Sequence, residues 1–233
     1  MRRMGFLSIG LAIVVAGACD KGNRRDMADA RAGNPAAVGT SGEADRNKVS
    51  RSDQDFVQEL TIANMAEVEL GRMAGERSAN ADVKKFGQMM VNDHTAAGDK
   101  LKGIASQYKL TVPAALDDKH RDLRDKLAKL NGAEFDREYM EAMVDGHQHV
   151  AGQLESRIDK ETLGKWKTET ADAATGKKVV ERAKATTVAP EKSDDAVTMS
   201  LNQWSAEAYP VVQAHLEAAK VLDVAVKNRR STN

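Results

Sequence analysis

The chain has 233 residues with 35 basic and 35 acidic side chains, so it carries no formal net charge at neutral pH. The two signs are interspersed, which leaves no basic face for nucleic acid and removes it from the expected partners. Aromatics are 4% of the chain and prolines number four, whereas alanine, lysine, glutamate and methionine abound, a balance that argues against a β-sandwich and predicts an all-α protein.

The first residues do not belong to the predicted core. Arg2 and Arg3 precede an apolar run from Met4 to Val15, too short for a permanent membrane span but suited to an export signal over residues 1–18. Ala16-Gly17-Ala18-Cys19 then allows two outcomes: an ordinary signal-peptidase cut after small residues, or a lipobox in which Cys19 is diacylated and becomes the first mature residue. Cys19 is the only cysteine, so it has no disulfide partner within the chain, and its position favours lipidation, although Ala16 stands where leucine is usual. The expected location is therefore the periplasm or cell envelope, with the lipid on Cys19 anchoring the protein to a membrane. Residues 19–51 are Gly, Asn, Pro, Ser and mixed charge with almost no large apolar side chain, and read as a flexible tether.

From Ser52 the pattern changes. Ser52 with Asp55 three residues on predicts a helix start, and Phe56, Leu60, Ala63, Glu67, Leu70 and Ala74 follow at steps of four and three. A second helix, capped by Asn80 and running from about 81 to 109, carries Phe86, Met90, His94, Ala97, Leu101 and Ile104 on one stripe. The connection between them is short, so the two should pack antiparallel. "LDDKHRDLRDKLAKLNG" reads as a charged helical crossover. A third stripe then runs through Phe135, Met140, Met143, His147, Val150, Leu154 and Ile158, and a fourth through Leu201, Trp204, Ala208, Val211, His215, Ala218, Leu222 and Ala225. Together these predict a four-helix bundle over 52–228 with one long connection between helices two and three. The stretch 160–199 is a polar insertion: a helical extension with Trp166 as its only large anchor, then a mobile loop ending near Pro190, and no site is assigned to it. Pro210 marks either a first-turn position or a kink one turn above His215.

Each of the four apolar stripes carries one ionisable residue near its middle: Glu67, His94, His147 and His215. Side chains of this length on helices roughly 8–10 Å apart meet at a bundle's centre. Three imidazoles and a carboxylate suit one divalent transition metal, iron, manganese, zinc or copper, and an unperturbed imidazole would release it as pH falls through about 6.5. Asp93 beside His94 is either an acceptor behind a ligand or a solvated residue, and Tyr139, like Asp136, either supports the site or closes the bundle's end. Met90 and Met143 precede His94 and His147 by one turn, but methionines on such a stripe fill core gaps. His120 and His149 lie off the stripes. No nucleophile with a base, glycine-rich phosphate loop or catalytic carboxylate pair occurs, so no catalytic residue is assigned and an enzyme is not the favoured class.

"FVQELTIANMAEVELGRMA", "VKKFGQMMVNDHTAAGDKL", "FDREYMEAMVDGHQHV" and "YPVVQAHLEAAKVL" resemble the four helices of domain-of-unknown-function family 4142, a group of bacterial exported proteins with a ferritin-like fold. The resemblance covers roughly 52–160 and 200–226, most specifically at "NDHT", "FDREYM…H" and "P…H", and implies a ferritin-like bundle rather than an activity. Ferritin-like di-iron proteins place a Glu three residues before their ligand histidines. Here those positions are Val91 and Val212, and helix three offers His147 in place of a Glu. A single-metal site is the form this implies. Two further classes stay open: a non-catalytic envelope module that binds partners, and a structural protein whose metal-free polar cluster sets helix register.

Overall fold

The computed structural model describes residues 49–171 and 187–229. The chain divides into two units, 1–38 and 39–233, and everything below concerns the second. The export signal, Cys19 and nearly all of the tether lie outside the described residues.

Six helices fall within the described residues: α1 (Arg51–Arg77), α2 (Ala81–Tyr108), α3 (Asp118–Leu127), α4 (Gly132–Glu155), α5 (Lys160–Ala171) and α6 (Ala196–Asn228). The protein is all-α, and none of these helices is long and apolar enough to cross a membrane. Four of the helices are long. The α1–α2 and α4–α6 pairs pack most extensively, and α2 against α6 and α1 against α4 complete the ring.

Helix α1 starts one residue before Ser52, and its cap is Ser50 rather than Ser52. The Ser50 hydroxyl accepts the Asp53 N–H at 3.0 Å and donates to Asp53 Oδ2 at 2.7 Å. The shift has a cause in packing: Asp53 is buried and paired with Arg157, so the capping acid that matters is the one facing the core, not the exposed Asp55. Asn80 caps α2 as expected, accepting from the Asp82 N–H at 2.9 Å. The crossover is irregular to Leu116, with a bend at 114–115, then helical from an Asp117 cap. It ends where Asn131 and Gly132 begin α4, Gly132 adopting φ +60°.

One close approach depends on glycine. A Cβ on Gly87 would lie 2.6 Å from the Ala74 Cβ and 2.7 Å from the Gly71 carbonyl oxygen, so α1 and α2 touch backbone to backbone there. Gly87→Ala must push the two helices apart, and should lower stability by about 1–3 kcal/mol, the usual range for overpacking. Thermal melts of the purified variant check this.

The fourth stripe needs correction. Leu201, Trp204 and His215 are buried, but Ala225 is exposed, Ala208, Val211, Ala218 and Leu222 only partly covered, and Tyr209, Val212, Leu216, Ala219 and Val226 lie in the core instead. The predicted positions 204, 211, 218 and 225 repeat every seven residues. The buried residues Tyr209 and Leu216, and Val212, Ala219 and Val226, also repeat every seven, so the face keeps the predicted spacing but is centred one residue further along the chain than the predicted stripe. Pro210 sits inside this 33-residue helix, not at its start.

The described ends of the 160–199 insertion are built into the core. Trp166 meets the Tyr209 ring edge-on at 5.0 Å, and Leu163 and Val188 are buried in the same apolar cluster, so Trp166 is not the only anchor. Ile158 bridges Pro190, with Asp159 N–H donating to the Ala189 carbonyl and Glu191 N–H to that of Arg157, each at 2.9 Å.

The buried apolar residues form two clusters rather than one. The first gathers around Leu60, Leu101, Leu154 and Trp204, the second around Leu70, Phe86, Tyr139 and Met143. Between them, on all four long helices, lies a polar layer.

Candidate metal centre

Helix geometry brings the layer to one level. His94, His147 and His215 and Glu67 each stand roughly 15–23 Å, at 1.5 Å per residue, from the helix end nearest the α1–α2 connection. The three histidines converge. They offer nitrogens that all lie within 4.8 Å of one another, and the three ring centroids are mutually 5.5 Å apart.

The tautomer of each ring follows from its partner. Asn64 donates its amide to the Leu60 carbonyl at 2.8 Å, which turns Oδ1 toward His94 Nδ1 at 3.0 Å, so that nitrogen carries the proton. His147 Nδ1 donates to the Met143 carbonyl at 2.8 Å, because a carbonyl only accepts. His215 Nε2 donates to Asp93 Oδ2 at 2.9 Å. What is left over is one lone-pair nitrogen per ring: His94 Nε2, His147 Nε2 and His215 Nδ1 are all buried without a hydrogen-bond partner. Leaving a buried acceptor unsatisfied costs about 1–3 kcal/mol, and three together in one place fit a cation that takes three lone pairs.

Glu67 lines the same cavity but stands outside the set of mutually close nitrogens. Its Oε1 is 3.7 Å from His147 Nδ1, its Oε2 has no hydrogen-bond partner, and Gly146 of α4 leaves room for it. Burial pushes the Glu67 carboxyl up to about 8 and holds His147 down to about 3, the latter helped by neighbouring His215. His94 is held well below the ordinary imidazole range by burial and by both other histidines. At neutral pH the Glu67–His147 contact is therefore a meeting of two neutral groups, not an ion pair. Asp93 is the acceptor behind His215. Tyr139 makes no hydrogen bond to the histidines, its hydroxyl being buried without a partner: its ring stacks on Phe135 at 5.4 Å and meets Phe86 edge-on at 6.3 Å, and burial, followed by the charge of Glu67, raises its hydroxyl well above 10.

These shifts predict the pH profile of the metal-free protein. Below 6.5 the unfolded chain binds protons that His94 and His147 refuse, so stability is lost as pH falls. Between 4.5 and 8 folded Glu67 keeps a proton the unfolded chain has released, so its contribution is lost as pH rises. The maximum should lie near pH 6.5, with a fall of about 2 kcal/mol by pH 8 at 1.36 kcal/mol per pKa unit. Glu67→Gln should flatten the alkaline limb and, because Glu67 opposes the histidines from pH 4.5 upward, steepen the acid limb between 4.5 and 6.5. Urea melts across pH 4–8 test it, and an unchanged alkaline limb in the variant would count against the assignment.

Sequence reasoning found the three histidines but not Asn64, although its position one turn before Glu67 put a second polar residue on an apolar face. The Met143 carbonyl carries no side-chain signal and was not findable. His120 pairs with Asp117, the cap of α3, at 2.6 Å, and His149 is exposed, so neither joins the layer.

An all-α bundle with a buried, tautomer-fixed histidine triad defines the class of protein. The model of the family described as Domain of unknown function (DUF4142) matches residues 38–173, more than half of the chain, and the chain belongs to that family. The match takes in α1 to α5 and stops short of the 200–226 part of the expected resemblance, which holds α6 and His215. No curated protein and no solved structure matches the chain.

Proposed function

We propose that this domain binds one divalent transition-metal ion through His94, His147 and His215, and does so outside the cytoplasm, tethered to a membrane by a lipid on Cys19. The observation that carries the metal reading is the set of three buried nitrogens left without partners while the opposite side of each ring is held by Asn64, the Met143 carbonyl or Asp93. Such backing fixes ligand rings and raises their basicity, and an imidazole set suits zinc, copper, iron or manganese over magnesium or calcium. Val91 and Val212, where di-iron proteins carry carboxylates, favour a single ion. When bound, that ion would supply Lewis acidity at the bundle centre.

The chain's own groups define the rest. Asn64, Met143 and Asp93 orient the rings, the two apolar clusters flank them on either side, and Glu67 stores a proton next to His147 that a nearby cation would displace. Elemental analysis of protein purified without an affinity tag should find about one transition-metal ion per chain, and none in His94→Ala, His147→Ala or His215→Ala.

The localisation reading rests on the residues around Cys19. Cys19→Ala should shift the protein from the membrane to the soluble fraction, or stall its processing. A wild-type protein recovered in the soluble periplasm, with no change in the variant, would remove the lipid anchor from the proposal.

A further inference from the structure

The triad forms one end of a cavity of about 240 Å³. Its walls are apolar, with Leu60, Val150, Leu154, Val211 and the indole of Trp204. Small side chains, among them Ala63, Ala97 and Ala208, leave the space open. At the far end Lys100 and Glu207 approach to 3.5 Å, both more than half exposed, so the cavity runs from the histidines to the surface between α2 and α6. A site that holds a metal only for structure is closed by four protein ligands, whereas one that serves an external ligand keeps a side open. Here three nitrogens converge and the remaining side is this cavity.

From this geometry we infer that the cavity receives a small, uncharged, mostly apolar molecule carrying one lone-pair donor atom, which reaches the metal held by the triad while its body fills the space along Leu60, Leu154 and Trp204. The inference rests on the metal reading above. Size sets the upper limit: an apolar cavity of about 150 Å³ admits benzene, so this one takes a molecule somewhat larger, and it is smaller than the roughly 300–1,000 Å³ of drug-sized pockets. Charge is disfavoured because the carboxyls that line the cavity are already committed: burial keeps Glu67 neutral at pH 7, Asp93 accepts from His215, and Glu207 pairs with Lys100 at the mouth.

Cobalt(II) in place of the native ion makes the test visible. The d–d bands of the cobalt-loaded protein report metal binding, and their change on adding ligand reports access to the remaining position. We expect 4-phenylimidazole to alter the bands with at least tenfold higher affinity than imidazole, and to quench Trp204 fluorescence in a Trp166→Phe background. Ala208→Leu, with Ala63→Leu as a second filling of the same space, should keep the cobalt bands and reduce the preference below threefold. Cobalt bands that respond to neither ligand, or that respond equally to both in the wild type, overturn the inference and leave the metal reading standing. A protein showing no cobalt bands overturns both.

Discussion

Zinc added to the metal-free protein should bind at one equivalent and raise the melting temperature steeply. Binding to the folded chain alone adds about 2.7 kcal/mol at a hundred times the dissociation constant and about 4.1 kcal/mol at a thousand times. For a domain of this size that is roughly 5–16 °C. The rise should vanish in His94→Ala, His147→Ala and His215→Ala and persist in His120→Ala and His149→Ala. The alanine variants carry a second signature: each removes an orphaned buried nitrogen, so their metal-free stability should fall less than the loss of a well-bonded buried histidine would suggest. Calorimetry with zinc and then with chelator separates the two readings of the triad. If zinc raises nothing in the wild type and chelator changes nothing, the histidines form a metal-free polar layer and the metal assignment is dropped.

The pH dependence of that rise departs from what an unperturbed imidazole would give. Reading the residues alone places the loss of metal near pH 6.5. Burial holds His147 at about 3 and His94 well below 6.5, so in the folded protein protons compete for those two nitrogens only in more acid solution. The zinc-dependent rise should thus weaken less between pH 7.5 and pH 5.5 than three unperturbed imidazoles would allow, and differential scanning calorimetry at pH 7.5, 6.5 and 5.5 would show it.

Why the histidines were legible and their surroundings were not has a physical basis. A histidine at a core position interrupts a 3.6-residue apolar pattern, and the interruption is visible without knowing what lies opposite. The same holds for Glu67. Its distance from the triad was not visible, because the pattern states which side of a helix a residue occupies but not how far along the gap between helices its side chain reaches. The face of α6 was misjudged because the buried face is broad: Leu201, Trp204 and His215 lie on it, and a stripe drawn through them misses by one residue the centre marked by Tyr209, Val212, Leu216 and Ala219. The anchoring role of Leu163 and Val188 was hidden for another reason. A short apolar residue in a polar stretch has no periodic partner, and only the fold shows that Ile158 and Pro190 pair to bring both into the core.

That pairing is secured by a buried ion pair whose removal should be costly. Arg157 reaches back from the end of α4, its Nη1 2.9 Å from Asp53 Oδ1 and 3.2 Å from Asn202 Oδ1, and its guanidinium lies 4.0 Å above the Phe56 ring. Asn202 in turn donates to the Glu191 carbonyl at 2.7 Å, so one side chain ties the start of α1, the end of the 160–199 insertion and α6 together. Burial alone would push the Asp53 carboxyl up. Hydrogen bonds from Ser50, Thr198 and Arg157 outweigh it and hold the group below its ordinary range. Arg157→Met would keep the apolar contact with Phe56 but leave Asp53 a buried carboxylate without its cation, a change that costs about 3–5 kcal/mol. The loss should shrink when Asp53 is also neutral: Asp53→Asn combined with Arg157→Met is expected to recover part of it, and the single variant should be relatively less impaired at pH 4 than at pH 7, where the unpaired carboxylate must stay charged or take up a proton at a penalty. Urea titrations of the two variants at both pH values decide the matter, and equal destabilisation at pH 4 and pH 7 would show that Arg157 acts by packing rather than by charge.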